Sequence, residues 1–430
     1  MLAEAPVIRR EGVVRRLIGL AVTASGPAVA VGELCHIHSG GHQHLALVTG
    51  FREGELILQP LGHVDGIRPG DVVEATGRGL EVQVGEHLIG RVVDCLGRPV
   101  DQGPAIPPQG RRGIHTAPPD PLTRSPISTI LETGIKAVDT LFTLGKGQRM
   151  GIFAGSGVGK SVLMGEFAKF ARADVNVIAL IGERGREIGE FVRQILGPEG
   201  LARSVVIIAT SDRPAVERQT AAYTAHAIAE YFRDSGRDVL LMMDSLTRFC
   251  HAGRELGLAA GEPPTVRGYP PSVFASLPRL LERAGTADRG SITGIYTVLV
   301  DGDDESEPVA DNVRAILDGH LFLSREMAGR AIYPAIDPTL SVSRLIVDLV
   351  SADEYADCLQ AREIWGEYQR IRELVEIGAY QRGADPQLDR CLALYPGLVD
   401  FIRQPIGTQQ GRASSVATLH ELLRQGGGQA

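Results

Sequence analysis

The stretch AGSGVGKS at residues 154–161 constrains this chain more than any other. It lies between the apolar run RMGIF (149–153) and a segment, 160–173, in which Leu163, Phe167 and Phe170 recur at helical spacing. A strand, a glycine-rich turn and an amphipathic helix in that order wrap backbone N–H groups around a polyphosphate and aim a helix N-terminus at it. Gly155, Gly157 and Gly159 supply the backbone angles such a turn demands. The expected nucleotide-binding set is therefore Gly155, Ser156, Gly157, Val158, Gly159, Lys160, Ser161 and Val162. Lys160 is expected to reach the β- and γ-phosphates of ATP, and Ser161 to offer its hydroxyl to Mg2+. Ala154 stands where the usual pattern opens on glycine, at the least demanding of the glycine positions.

A chain of 430 residues has room for two or three domains, and 43% hydrophobic with 22% charged residues describes an ordinary globular protein. A net charge of −8 argues against a nucleic-acid binder that works by broad phosphate neutralisation, and no nucleic-acid partner is expected. Five scattered cysteines without a CxxC pair suggest reduced thiols in a cytosolic protein. No apolar stretch reaches the roughly 18 residues that span a bilayer. After Arg15 and Arg16, LIGLAVTASGPAVA imitates a secretion signal. A strand broken by a turn at Ser25, Gly26 and Pro27 is the preferred reading, because the apolar run is interrupted and a nucleotide-dependent enzyme finds its nucleotide in the cytosol. The arginine pairs of VIRREGVVRRLIGL fit either a membrane or partner surface or a solvated terminal element.

Residues 12 to about 85 read as β structure, a small barrel or sandwich, with HLALVTGF, ELILQPL and LEVQVG as strands. IGRVVDCLGRPV then leads into an extended, proline-rich link. Beyond the phosphate loop, VNVIALIG (175–182), VVIIAT (205–210), VLLMMD (239–244) and ITGIYTVLV (292–300) are continuous apolar runs separated by helical segments. That alternation predicts a doubly wound α/β core, which binds ligands at the carboxyl ends of its strands. Asp244 closes one such strand, placed to hold Mg2+ through its water shell; a helix cap is the plainer reading. Glu183 follows another within GERGRE, placed to orient or deprotonate an attacking water, with Arg184, Arg186 and Glu187 fixing it; a surface ion pair is the plainer reading. Tyr333 in IYPAIDP and Arg344 in SVSR stand in a proline-marked loop after the last strands. An arginine there would stabilise transition-state charge in a neighbouring subunit, or else make a structural ion pair. Ile364, Trp365, Tyr368, Ile371 and Leu374 or Val375 form a helical stripe that reads as core, and SSVATLHELLRQ adds another amphipathic helix.

These motifs, with AAGEPPTVRGYPPSVFASLPRLLERAG and GSITGIYTVLVDGDDESEPVADNVRAILDGH between them, resemble the ATPases of flagellar and virulence type III protein export, relatives of the catalytic β subunit of rotary ATP synthases. The resemblance runs from about Gly12 to beyond Phe401. It implies an N-terminal β-barrel (1–85), a RecA-like ATPase domain (86–350) and a helical C-terminal domain (351–430), assembled as a homohexamer with ATP sites between neighbours. It assigns Lys160, Glu183, Arg184, Asp244 and Arg344 to catalysis, Ser161 and Asp244 to Mg2+, Tyr333 to stacking on adenine, and Arg344 to the neighbour's site as a finger in trans. The implied partners are stalk and negative-regulator proteins, the export gate and chaperone–substrate complexes, with GEPPTVRGYPPSVF and DGDDESE facing the central pore and its stalk; a purely solvated loop explains the acidic run equally well. The implied location is the cytoplasm, with peripheral association at the inner membrane. TGIKAVDTLFTLGKGQRM, ARADVN and GAYQRGADPQLD look more like the flagellar branch than the virulence branch. Pro338 and Thr339, and a short N-terminal segment, depart from the family pattern and are expected to alter the adenine loop or regulator docking. Two other classes compete: an RNA translocase of the termination type, disfavoured by acidic balance and 5% aromatic content, and a non-hydrolysing ring subunit, disfavoured by the four chemistry-bearing residues together.

Overall fold

The structure, a computed structural model, describes residues 10–107, 109–300 and 307–425. Six antiparallel strands close the N-terminal barrel: Glu11–Ile18, Ala21–Ser25, Glu33–Ser39, His42–Arg52, Glu55–Pro60 and Val72–Gly79. Alternation turns Cys35, Ile37, Ala46, Val48 and Leu58 inward, each with no exposed surface. The stretch that imitates a secretion signal forms the first two strands, with Val22 and Ala24 buried in the barrel. It contains a tight turn that its sequence does not announce, at Gly19 with φ of 60°.

One expected barrel strand lies elsewhere. Glu81–Val84 pairs with Gly110–Gly113, contributed by the proline-rich link, and Leu80, Val82 and Val84 pack into the nucleotide-domain core. Its alternation is that of a half-buried strand, but the apolar surface available to cover it belongs to the next domain. The link is likewise not wholly irregular, since Val92–Val93 joins the edge of the central sheet.

That sheet sets seven parallel strands side by side in the order Val92–Val93, Ser204–Ala209, Val175–Ile181, Asp238–Asp244, Ser291–Leu299, Arg149–Ala154 and Gly319–Leu323. Val342–Ser343 adds an antiparallel strand outside Gly319–Leu323. All seven residues of Val175–Ile181 are buried, as a strand covered on both faces requires. Phe167, Phe232 and Phe249, fully buried under the sheet, each contribute about 1.5–3 kcal/mol of burial. The order brings the ends of Arg149–Ala154, Asp238–Asp244 and Val175–Ile181 to one edge, where a single ligand can touch loops from all three.

The C-terminal part is helical: Ala352–Glu376, Pro386–Ile402 and Arg412–Gln425. The predicted stripe is core through Ile364, Trp365 and Ile371, and Tyr368 stacks on Tyr395 with ring centroids 3.5 Å apart. Beyond Ile371 it leaves the core, with Leu374 exposed. All five cysteines are buried and unpaired. No helix among the described residues is long and apolar enough to cross a membrane. Of the acidic run DGDDESE, residues 301–306 lie outside the described residues; Glu307 caps the helix Pro308–Ile316 by accepting the Ala310 N–H at 2.8 Å.

Candidate active site

Ala154 ends its strand, and the turn reaches Gly157 and Gly159 with φ of 80° and 95° before the helix Lys160–Phe170 begins. Ser156 and Gly157 are exposed, while Val158 is buried and anchors the loop. A Cβ at Gly155 would lie 2.7 Å from the guanidinium of the exposed Arg325, which would have to swing aside. At the head of the helix the Lys160 ammonium is paired with Asp244 and lies 3.8 Å from Glu183 Oε1. Their side chains are only 13%, 6% and 15% accessible, for lysine, aspartate and glutamate in turn. Asp244 Oδ1 also accepts the Thr297 hydroxyl at 2.8 Å. Asp244 is not the cap of the following helix Leu246–Ala259; Ser245 is, accepting the Arg248 N–H at 3.2 Å. Nor is Glu183 a surface residue.

Burial raises the Glu183 carboxyl above the ordinary carboxylate range, and the Asp244 charge adds to the shift while Lys160 and Arg248 oppose it. Arg248 is a site residue that sequence reasoning missed. Gly182, with φ of 70°, leaves its Cβ position 3.0 Å from Arg248 Cβ, so the arginine stem lies against the strand end beside Glu183. Its Nε is buried without a hydrogen-bond partner among the described residues. The signal was its position four residues after Asp244, one helical turn into a capped helix. Arg184, by contrast, is 79% accessible and pairs with Glu187 at 3.4 Å. Arg186 pairs on the surface with Glu190 at 3.8 Å.

Beside the loop, a cleft of about 280 Å3 is lined by Ile135, Val162, Tyr333, Pro405 and Ile406, with Glu166 as its only charged wall residue. Tyr333 is 39% exposed, and its ring edge lies 3.6 Å from where a Gly159 Cβ would stand. The C-terminal domain supplies the far wall. Gln404 binds it in place: its N–H donates to Tyr333 O at 2.8 Å, its amide donates to Gly134 O at 2.8 Å, and its Oε1 accepts the Lys136 N–H at 2.8 Å. Glu166 accepts the Gly407 N–H at 2.9 Å. These C-terminal residues lie more than two hundred positions from the phosphate loop, and no local pattern marks them. Pro338 and Thr339 are braced one loop away: Thr339 donates twice to Asp337, and Arg362 donates to Pro338 O at 3.0 Å.

Arg344 lies in a turn. It follows the edge strand Val342–Ser343 and is exposed, with its N–H on Asp318 O at 2.9 Å and its guanidinium on Arg314 O at 3.2 Å. Asp318 in turn pairs with Arg149, at the amino end of the strand that runs to the phosphate loop. Six extended residues separate those ends by about 16 Å. Arg344 and the site of its own chain therefore stand at opposite ends of the sheet.

Two oxygen donors, Asp244 and Ser161, suit a hard cation that keeps its remaining ligands as water and phosphate. Among the described residues, no cluster of three or more His, Cys, Asp or Glu could cage a metal. Asp244 and Ser161 are thus fit to hold Mg2+ delivered with a nucleotide.

Comparison with known proteins matches residues 14–77 to the β-barrel domain of the ATP synthase alpha/beta family, 134–343 to that family's nucleotide-binding domain, and 350–421 to the T3SS EscN ATPase C-terminal domain. The flagellum-specific ATP synthase of Bacillus subtilis is 49% identical over 96% of this chain and 95% of its own. The type 3 secretion system ATPase of Xanthomonas euvesicatoria is 50% identical over 94% of this chain and 92% of its own. The assembled ATPase EscN of enteropathogenic E. coli superimposes with a TM-score of 0.91 at 42% identity, covering 96% of this chain and all of that one. EscN in complex with its central stalk EscO gives a TM-score of 0.88.

Proposed function

This chain belongs to the ATP synthase alpha/beta family, and from that premise we propose that it is the ATPase of a type III protein export apparatus, working as a homohexameric ring. One observation carries the reading: Lys160, Glu183 and Asp244 meet at the carboxyl end of the sheet, while Arg344 is presented at the other end. In this reading a single chain supplies the phosphate-binding and water-activating groups of its own site, and its arginine serves the site of another copy.

In this reading Tyr333 stacks on the adenine, with Ile406 across the cleft, and residues 155–162 hold the phosphates. Lys160 shifts its ammonium from Asp244 to the phosphates. Ser161 and Asp244 would hold Mg2+, which when bound would supply charge neutralisation at the phosphates. Glu183, its proton affinity raised by burial, takes the proton of the attacking water. Arg248 lies beside Glu183 and balances the charge that develops there. Arg184 remains a candidate for the ring interface, given its exposure. Ring neighbours, a central stalk, a regulator, the export gate and chaperone-bound substrates are the proposed partners, at the cytoplasmic face of the inner membrane. The flagellar branch is the proposed system, on the segments TGIKAVDTLFTLGKGQRM and GAYQRGADPQLD.

Hydrolysis by the purified protein and by Glu183→Gln, followed across protein concentrations, tests the reading. Wild-type activity per subunit should rise cooperatively with concentration, and the variant should bind ATP without turning it over. A wild type that binds ATP in the assembled state and never hydrolyses it would leave a non-hydrolysing ring subunit.

A further inference from the structure

The residue pair that begins the phosphate-loop strand has no role in the site described above, yet it is heavily engaged. Gln148 is completely buried, and its side-chain amide is fully used. Its Oε1 accepts the Gly145 N–H at 2.8 Å, and its Nε2 donates to Ser343 Oγ at 3.0 Å and towards Asp318 O at 3.4 Å. The Ser343 hydroxyl passes its own proton to Thr143 O at 2.9 Å. Asp318 O is the same carbonyl that accepts the Arg344 N–H. Arg149 holds Asp318 from the side, with Nε and Nη2 both 3.1 Å from its carboxylate oxygens and the Arg149 N–H at 2.9 Å.

A buried amide left unpaired is destabilising, so a glutamine persists at such a place only with its partners fixed. Here the partners are the residue before Arg344 and the carbonyl that carries Arg344. A two-residue edge strand has little register of its own, and these side-chain bonds define where the arginine leaves the sheet. We propose that Gln148, through Ser343 and Asp318, is a positioning residue for Arg344 and so acts on the neighbouring subunit's ATP site, not on its own. The inference rests on the reading of Arg344 as an arginine given in trans.

The test uses rings mixed from two full-length variants. Glu183→Gln has a dead site but still presents Arg344; Arg344→Ala has an intact site but presents nothing. Mixing them should restore hydrolysis at interfaces where the second receives the arginine of the first. Gln148→Met is then placed in one partner at a time, with Ser343→Ala as a milder second variant, and nucleotide affinity and ring assembly are followed alongside. In the Glu183→Gln partner, which donates Arg344, either change should lower the restored kcat on the order of tenfold at unchanged KM, as expected for a small misplacement of a catalytic group. In the Arg344→Ala partner, whose site does the work, the same change should leave the rate as it was. Equal losses in both placements would overturn the proposal and make Gln148 a structural residue only. No restoration in the parent mixture would instead overturn the trans reading of Arg344, and the proposal with it.

Discussion

The two ends of the central sheet treat charge in opposite ways. At the carboxyl end, two carboxylates share a nearly closed space with one lysine and a neighbouring arginine, and burial keeps Glu183 protonated to higher pH than a solvated glutamate. At the amino end, Arg149 is held by both Asp318 and Glu282, and the exposed Arg344 stands beside the edge strand that Asp318 and Ser343 brace. A site that moves protons and phosphate needs charges that are imperfectly matched, because their imbalance is what substrate binding relieves. A group presented to another subunit needs the reverse, a foundation whose bonds are complete before the partner arrives. In the proposed reading, the chemistry of the ring is divided between those two kinds of environment within one chain.

The sharpest way to break the contrast is Arg344→Ala. It should lower kcat on the order of 10³-fold or more while nucleotide binding persists, since a trans arginine stabilises only the transition state. Loss of nucleotide affinity together with kcat would show that Arg344 supports its own site. Glu183→Gln should cost on the order of 10²–10⁴-fold in turnover, and fluorescent-nucleotide titration should show binding retained. Tyr333→Ala should raise KM for ATP about tenfold with little change in kcat, because stacking on a base contributes about 1–3 kcal/mol and does not differ between ground and transition states. The smallest effect is in pH. Glu183 must be ionised to accept a proton, and its carboxyl ionises above the ordinary range, so kcat/KM should fall as pH drops through that raised value, earlier than for a solvated glutamate. An acid limb at the ordinary carboxylate position would remove burial from the account of that carboxylate.

How much of this was legible in the sequence depended on how local the cause was. AGSGVGKS carries its own fold, since the glycines, the lysine and the helix start are all within eight residues. Glu183 and Asp244 were legible because each ends a continuous apolar run, and strand ends of parallel sheets converge on one edge. Arg248 was not, because its role depends on which way a capped helix leaves the sheet. Gln404 and Ile406 complete the base cleft from another domain, a matter of tertiary packing alone. The LEVQVG strand was legible as β but not as to partner, since alternation states that one face is buried and not against what. Arg344 was legible as a loop residue, but the edge strand Val342–Ser343 just before it was not, because two residues carry no periodicity.

The division of the site between subunits is tested most directly by the parent mixture itself, Glu183→Gln with Arg344→Ala in equal amounts. The account predicts a mixture that hydrolyses ATP well above either variant alone. A mixture as inactive as its components, with rings shown to exchange subunits, would contradict it.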